Sequence, residues 1–157
     1  MRSLKDYFKE LELHFALICE SWLRDDQRLR EEVQNLELVE NLSLIMKNRK
    51  SHKGKIAGGG VAVVFDKSRI KLSEYKIKNG CGEIVCAGGK IPSVPRKVFL
   101  MSIYIPPRMK APQNRATLER INGTISTVKE EMDDPIIIVG GTLIKGTWMR
   151  QWETSLT

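Results

Sequence analysis

The feature that most constrains the fold is an amphipathic helix pattern flanked by two apolar runs near the end of the chain. Within residues 115–132 apolar side chains recur at intervals of three and four, which is typical of a helix with one buried face; they are Leu118, Ile121, Ile125, Val128 and Met132. Apolar runs at 97–105 and 135–139 have the character of strands, and the proline pair at 106–107 ends the first. This order of elements predicts a βαβ crossover between parallel strands.

Further apolar runs predict additional strands upstream. They lie at residues 15–19, 61–65, 70–77 and 83–87, with a further apolar patch at 36–46, and a short amphipathic helix that Ser3 can cap comes first. The unbroken run at 15–19 suits a strand covered on both faces. Residues 70–77 alternate like the hairpin partner of 61–65. With about six strands, two helices and one crossover, the sequence predicts an α+β layered fold.

The net charge limits the class of partner that fits the chain. The 157 residues carry a formal charge of +7 and a pI of about 9.4, so a polyanion such as nucleic acid is the natural partner, although a solvated basic surface explains the same values. Cys19, Cys81 and Cys86 lack metal-binding spacing and indicate reduced thiols. No apolar run is long enough for a membrane span. We therefore expect an intracellular protein, nuclear or cytoplasmic.

Two polar residues lie at the ends of predicted strands, and each has two interpretations. Glu20 closes the run 15–19, where a carboxylate either marks the surface or points into a site at the sheet edge; the residues alone favour the surface. Tyr104 lies one residue before the end of its strand, where the hydroxyl either reaches solvent or donates to a phosphate. Asp133 and Asp134 precede the last strand at its other end and predict a turn that stops the helix.

A cluster of cations follows the apolar patch that ends at Met46. The cluster consists of Lys47, Arg49, Lys50, Lys53 and Lys55 and lies between two predicted strands. Such a loop suits contacts with nucleic-acid phosphates. It is equally compatible with a solvated connection.

Four segments occur in an order and at separations that match one known family. They are LICESWL at 17–23, GGGVAVV at 58–64, VFLMSIYIPP at 98–107 and PIIIVGG at 135–141. Together they resemble the endonuclease/exonuclease/phosphatase superfamily, and more narrowly the endonuclease domains of non-long-terminal-repeat retrotransposons. The resemblance extends over residues 1–141 as a partial domain and leaves 142–157 as an unassigned tail. It implies part of a four-layered α/β/β/α sandwich.

The resemblance also implies roles for two residues. The glutamate that matches Glu20 binds a divalent metal, usually magnesium, and the tyrosine that matches Tyr104 contacts the scissile phosphate. The implied reaction is metal-dependent hydrolysis of a DNA phosphodiester, in which the metal neutralises charge on the phosphate and a positioned base generates the hydroxide. DNA and Mg²⁺ are therefore the partner and cofactor that the resemblance implies.

Departures from the family pattern predict that this reaction is lost. The Gly-Asp-x-Asn motif at the end of the last strand reads Gly141-Thr142-Leu143-Ile144 here. The 157 residues contain neither the family's asparagine-bearing first strand nor its closing Ser-Asp-His element. Removing one member of a catalytic unit commonly costs about 10³-fold or more in rate. We therefore expect a degenerate or truncated copy without measurable DNA nicking.

Two non-catalytic interpretations are left open by the residues. The chain is either a nucleic-acid-binding remnant that uses the basic cluster or a protein-interaction piece. The second interpretation follows from truncation. A two-sheet sandwich cut near its midpoint would leave one inner sheet face uncovered, and a partner or a second copy would cover that face.

Overall fold

The computed structural model describes residues 4–19, 41–47, 60–77, 83–106 and 110–142. In chain order the elements in these ranges are α1 (Leu4–Glu10), β1 (Phe15–Cys19), β2 (Leu42–Lys47), β3 (Val61–Asp66), β4 (Lys71–Glu74), β5 (Glu83–Lys90), β6 (Lys97–Tyr104), α2 (Ala111–Met132) and β7 (Ile136–Thr142). β1 matches the predicted run residue for residue. α2 begins earlier than the periodicity predicts, at Ala111, because a proline suits the first helical turn.

The described strands form two sheets. In the first sheet the order is β1-β3-β2, and both neighbours run antiparallel to β3. In the second the order is β4-β5-β6-β7, and all pairs are antiparallel except β6 with β7. β6 and β7 are parallel and connected through α2, so the predicted βαβ crossover is confirmed.

The two sheets pack face to face, and a helix covers the outer face of each. Val61, Val63 and Phe65 of β3 meet Val85 and Leu100 of the second sheet in the core between the sheets. α2 packs on the outer face of the second sheet, and α1 packs on the outer face of the first. The result is an α+β fold with the predicted four-layered α/β/β/α arrangement.

α2 buries the apolar face that its sequence predicts. Ile121, Ile125 and Val128 pack in one cluster with Phe99 and Met101 of β6, both of which are fully buried. Because β6 also contributes to the core between the sheets, it is covered on both faces. The crossover therefore holds β6 in the middle of the molecule.

The turn between α2 and β7 is fixed from the neighbouring hairpin. Asp133 ends the helix with φ 57°, and Asp134 follows with φ 52°, a left-handed conformation that aspartate tolerates better than most residues. Arg96 forms an ion pair with the Asp134 carboxylate at 2.9 Å, and its Nε donates to the Asp134 carbonyl oxygen at 2.8 Å. The predicted helix stop is confirmed, and β7 begins beside β6.

One pairing differs from the sequence prediction. Residues 70–77 are expected to be the hairpin partner of β3, but β4 pairs with β5 in the other sheet. The reason is that β1 and β2 already occupy both edges of β3. The turn at Asp66, whose carboxylate accepts the Ser68 amide at 2.8 Å, carries the chain across to the second sheet. The alternating pattern therefore predicts the strand correctly but not its partner.

The uncovered inner face that truncation suggests is absent from the described parts of the sandwich. Val63 of β3 and Leu100 of β6 are completely buried. The exposed large apolar side chains in these ranges are Tyr7, Leu11 and Val139, at 45%, 62% and 39% exposure, and none of them belongs to the core between the sheets. The expectation about the inner face is therefore wrong for the described residues. Self-association stays a prediction.

Two other expectations concern the thiols and the membrane. Cys19 and Cys86 are free cysteines, as predicted, and Cys81 lies outside the described residues. Across the described ranges, no helix combines the length and the apolar character that crossing a membrane requires.

Three lysines face one another across the second sheet. Lys71, Lys90 and Lys97 occupy one register row through β4, β5 and β6. Residues in such a row point to the same face, and neighbouring strands lie about 4.8 Å apart, so the ammonium groups repel one another. None of the ion pairs formed among the described residues involves these lysines. The row is therefore a local source of instability.

Replacing Lys90, the middle lysine, by glutamate is expected to stabilise the protein, because two like-charge pairs become opposite-charge pairs. Each cross-strand pair contributes about 0.2–1 kcal/mol, so the free energy of unfolding should rise by about 1 kcal/mol at low ionic strength. Urea unfolding measures this change. The gain should shrink at high ionic strength, and Lys90→Gln should give a smaller gain. A lower stability of Lys90→Glu at low ionic strength would contradict the repulsion.

Candidate functional site at the rim of the sandwich

Strand ends from both sheets meet at one end of the sandwich, which we call the rim. It consists of two register rows: Cys19, Val61 and Lys47 in the first sheet, and Glu83, Tyr104 and Thr142 in the second. β1, β2, β6 and β7 end at the rim, whereas β3 and β5 begin there. The rim therefore brings together the ends of the strands that carry or precede the predicted site residues.

Two hydrogen bonds connect the sheets near the rim. The backbone N–H of Gly60, directly before β3, donates to the Glu83 carboxylate at 2.6 Å. The Ser102 hydroxyl of β6 donates to the Ile18 carbonyl oxygen of β1 at 2.9 Å. The bond to Glu83 is buried, and the bond from Ser102 is partly buried, although the Ser102 side chain itself is fully buried. Burial strengthens such bonds and makes an unpaired partner costly. They fix the position of one register row relative to the other.

Glu83 is a rim residue that the sequence analysis missed. Its side chain is only 7% exposed, and a carboxylate is rarely buried without a partner. The signal in the sequence is a single charged residue that opens the otherwise apolar run 83–87. Gly60 provides the matching backbone, since its φ of 91° belongs to a conformation that favours glycine.

Tyr104 lies at the rim, as predicted, but its side chain is mostly buried. It is 7% exposed and belongs to the core cluster between the sheets, and in the register it is level with Glu83 and Thr142. Its contact with a phosphate stays a prediction. Glu20 follows the last residue of β1 and lies outside the described residues, so its role as a metal ligand stays a prediction too.

The glycine pair at the end of β7 lets this strand pack against two neighbours. A Cβ atom on Gly141 would lie 1.9 Å from the Ile103 carbonyl oxygen of β6, and one on Gly140 would lie 2.8 Å from the Leu17 side chain of β1. A larger residue at position 141 would push β7 away from β6, whereas one at position 140 would require the Leu17 side chain to shift. The pair therefore sets Thr142 level with Tyr104, at the position where the family resemblance implies an aspartate.

The described rim residues do not form a magnesium site by themselves. No three His, Cys, Asp or Glu side chains in the described ranges are grouped so that they could hold a metal ion. Magnesium prefers oxygen ligands in near-octahedral geometry and one or two carboxylates. The described carboxylate of the rim, Glu83, already accepts the Gly60 amide, and Thr142 brings no charge.

Of the predicted basic cluster, the structure describes Lys47. This residue ends β2, is exposed, and lies opposite Val61 in the rim row of the first sheet. The cations Arg49, Lys50, Lys53 and Lys55 lie outside the described residues. The structure therefore places the start of the cluster at the rim.

No family model matches the chain, and no curated protein matches it. Solved structures do. The human Nocturnin catalytic domain with bound sulfate anion is similar over 87% of this chain and 53% of its own, with 9% identity and a TM-score of 0.58. The endonuclease domain of TRAS1, a telomere-specific non-LTR retrotransposon, is similar over 87% of this chain and 49% of its own, with 18% identity and a TM-score of 0.52. D. rerio TDP2 complexed with single strand DNA product is similar over 88% of this chain and 50% of its own, with 14% identity and a TM-score of 0.52.

At these identities the similarity concerns the fold alone. The fold is the sandwich of the endonuclease/exonuclease/phosphatase class, in agreement with the layers described above. The chain spans about half the length of the solved structures that it matches.

Replacing Ser102 by alanine is expected to lower the free energy of unfolding by about 1 kcal/mol, because the Ile18 carbonyl oxygen loses a buried donor. Urea unfolding measures this loss. Ser73→Ala is the matched control, since the Ser73 hydroxyl donates to the Gly88 carbonyl oxygen at 3.4 Å from an exposed position on an edge strand. Its expected change is within about 0.5 kcal/mol. An equal loss in both variants would show that the bond between the sheets has no special weight.

Proposed function

We propose that this chain is a retrotransposon-type DNA endonuclease domain, or part of one, that has kept the phosphodiesterase scaffold and lost the hydrolytic reaction. The observation that carries the proposal is the row Glu83–Tyr104–Thr142. In this row Tyr104, for which the resemblance implies contact with the scissile phosphate, lies level with Thr142. Thr142 stands at the position of the implied aspartate.

The physical reason for the loss is the charge of the missing ligand. A divalent metal in this type of reaction stabilises the negative charge that develops on the phosphate, and carboxylates hold the metal. A threonine hydroxyl is neutral and cannot replace a carboxylate in this role. The next position of the motif has changed as well, since Ile144 replaces an amide that could donate or accept hydrogen bonds.

Supercoiled plasmid incubated with the purified chain and Mg²⁺ is expected to stay supercoiled, because the neutral Thr142 stands at the position of the implied aspartate. Agarose electrophoresis measures the relaxed fraction, and Glu20→Ala should leave that fraction unchanged. Relaxation that requires Mg²⁺ and disappears in Glu20→Ala would overturn the proposed loss of activity.

A gain-of-ligand variant tests the same reason without an activity assay. Thr142→Asp should bind Mn²⁺ more tightly than the unmodified chain in isothermal titration, and Thr142→Asn, which is similar in size but neutral, should not. If the unmodified chain binds the ion as tightly as Thr142→Asp, the explanation from charge fails.

A second candidate function is nucleic-acid binding without hydrolysis. The observation in its favour is the place of Lys47, an exposed cation at the rim where the predicted basic cluster begins. Cations of this kind contact backbone phosphates without reading the base sequence. This function does not require the metal site and can persist after hydrolysis is lost.

Duplex DNA binding by the chain is expected to weaken as salt increases, because each phosphate contact releases a counterion. The slope of log K against log salt should be about −0.9 per contact, and fluorescence anisotropy measures it. Lys47→Gln should make the slope less steep by about one contact. Lys129 is an exposed lysine in the last turn of α2. Lys129→Gln is the matched control and should leave the slope unchanged. A slope near zero would exclude phosphate contacts.

A further inference from the structure

A cavity lies beside the rim because two paired strands differ in length. β4 has four residues and β5 has eight. β4 ends at Glu74, opposite Ala87, and the Tyr75 N–H that follows donates to the Cys86 carbonyl oxygen at 2.9 Å. Toward the rim, the edge of β5 at Ile84 and Val85 therefore borders a cavity of about 380 Å³. This volume lies within the range of about 300–1,000 Å³ that is usual for ligand sites.

Cations from three separate elements line this cavity. They are Lys47 at the end of β2, Lys76 after β4 and Arg120 in α2, and Glu74 is the carboxylate among the described lining residues. The described residues that line the cavity therefore carry a net charge of +2. Lys47 and Lys76 are exposed and Arg120 is half-buried, so the cations surround the opening while Ile84 and Cys86 form apolar wall.

The charge of Lys47 acts on the cavity wall. Burial raises the pKa of the Cys86 thiol to about 12, and the Lys47 ammonium acts in the opposite direction. Lys47 and Cys86 both line the cavity, although the backbone of Lys47 is in the other sheet. The Tyr75 hydroxyl donates to the Glu131 carboxylate at 2.7 Å.

We propose that this cavity binds a backbone phosphate of a nucleic acid that continues across the rim. The inference rests on the proposed nucleic-acid contact and adds Lys76 and Arg120, which are far apart in the sequence, to the contact made by Lys47. A guanidinium offers several donors in one plane, and a lysine adds a point charge, a combination that suits the oxygens of one phosphate group. Lys47 belongs to both the cavity wall and the rim row, so one strand of nucleic acid can contact both.

Anisotropy of labelled duplex DNA, titrated with salt, tests the inference on the full chain. Lys76→Gln and Arg120→Gln should each weaken binding and make the log–log slope less steep by about 0.9, the value of one contact. If the two cations hold the same phosphate, the double variant should have the slope of either single variant. Arg120→Lys keeps the charge and should keep the slope.

Matched controls come from the same elements. Lys71→Gln lies at the other end of β4, and Arg115→Gln lies on α2 in an exposed pair with Glu119; neither should change the slope. Thermal unfolding of each variant shows whether the fold is intact. Slopes of Lys76→Gln and Arg120→Gln equal to those of the controls would overturn the inference.

Two further outcomes separate this inference from the proposed function. If Lys47→Gln changes the slope but Lys76→Gln and Arg120→Gln do not, the cavity inference fails and nucleic-acid contact at the rim stands. If the unmodified chain does not bind DNA, both fail. A mononucleotide that occupies the cavity as tightly as the duplex would also overturn the assignment to a backbone phosphate.

Discussion

The contact between the two inner sheet faces is the constraint on which the rest of the structure depends. Burying one large aliphatic side chain contributes about 1.5–3 kcal/mol, but this contribution has no direction. Apolar faces alone would therefore allow the sheets to shift against each other. The bonds from Gly60 to Glu83 and from Ser102 to Ile18 do have direction, and they lie near the rim. These two bonds fix the positions of the strand ends of one sheet relative to those of the other.

The packing of the sandwich also constrains the end of β7. Gly141 is required by the close approach of β7 to β6, so the fold itself constrains this residue. Thr142 follows directly and shares a register row with Glu83 and Tyr104.

The fold could largely be predicted from periodicity, and the site only in part. The spacing of Ile121, Ile125 and Val128 predicted both the helix and the crossover, because one element repeats a single pattern. The partner of β4 was not predictable, since alternation reports which face of a strand is buried and not which strand lies beside it. The roles of Glu83 and Gly60 were missed for a similar reason. Their bond joins residues 23 positions apart, and its geometry exists only after the sheets have packed.

The link between Ser102 and Ile18 has a consequence for synthesis of the protein on the ribosome. The two residues are 84 positions apart, and the chain grows at about 5–20 residues per second. The apolar strand β1 must then wait roughly 4 to 17 s before the strand that secures it has been translated. During this interval, molecular chaperones have access to β1, and the delay sets a lower limit on the time needed to reach the native state.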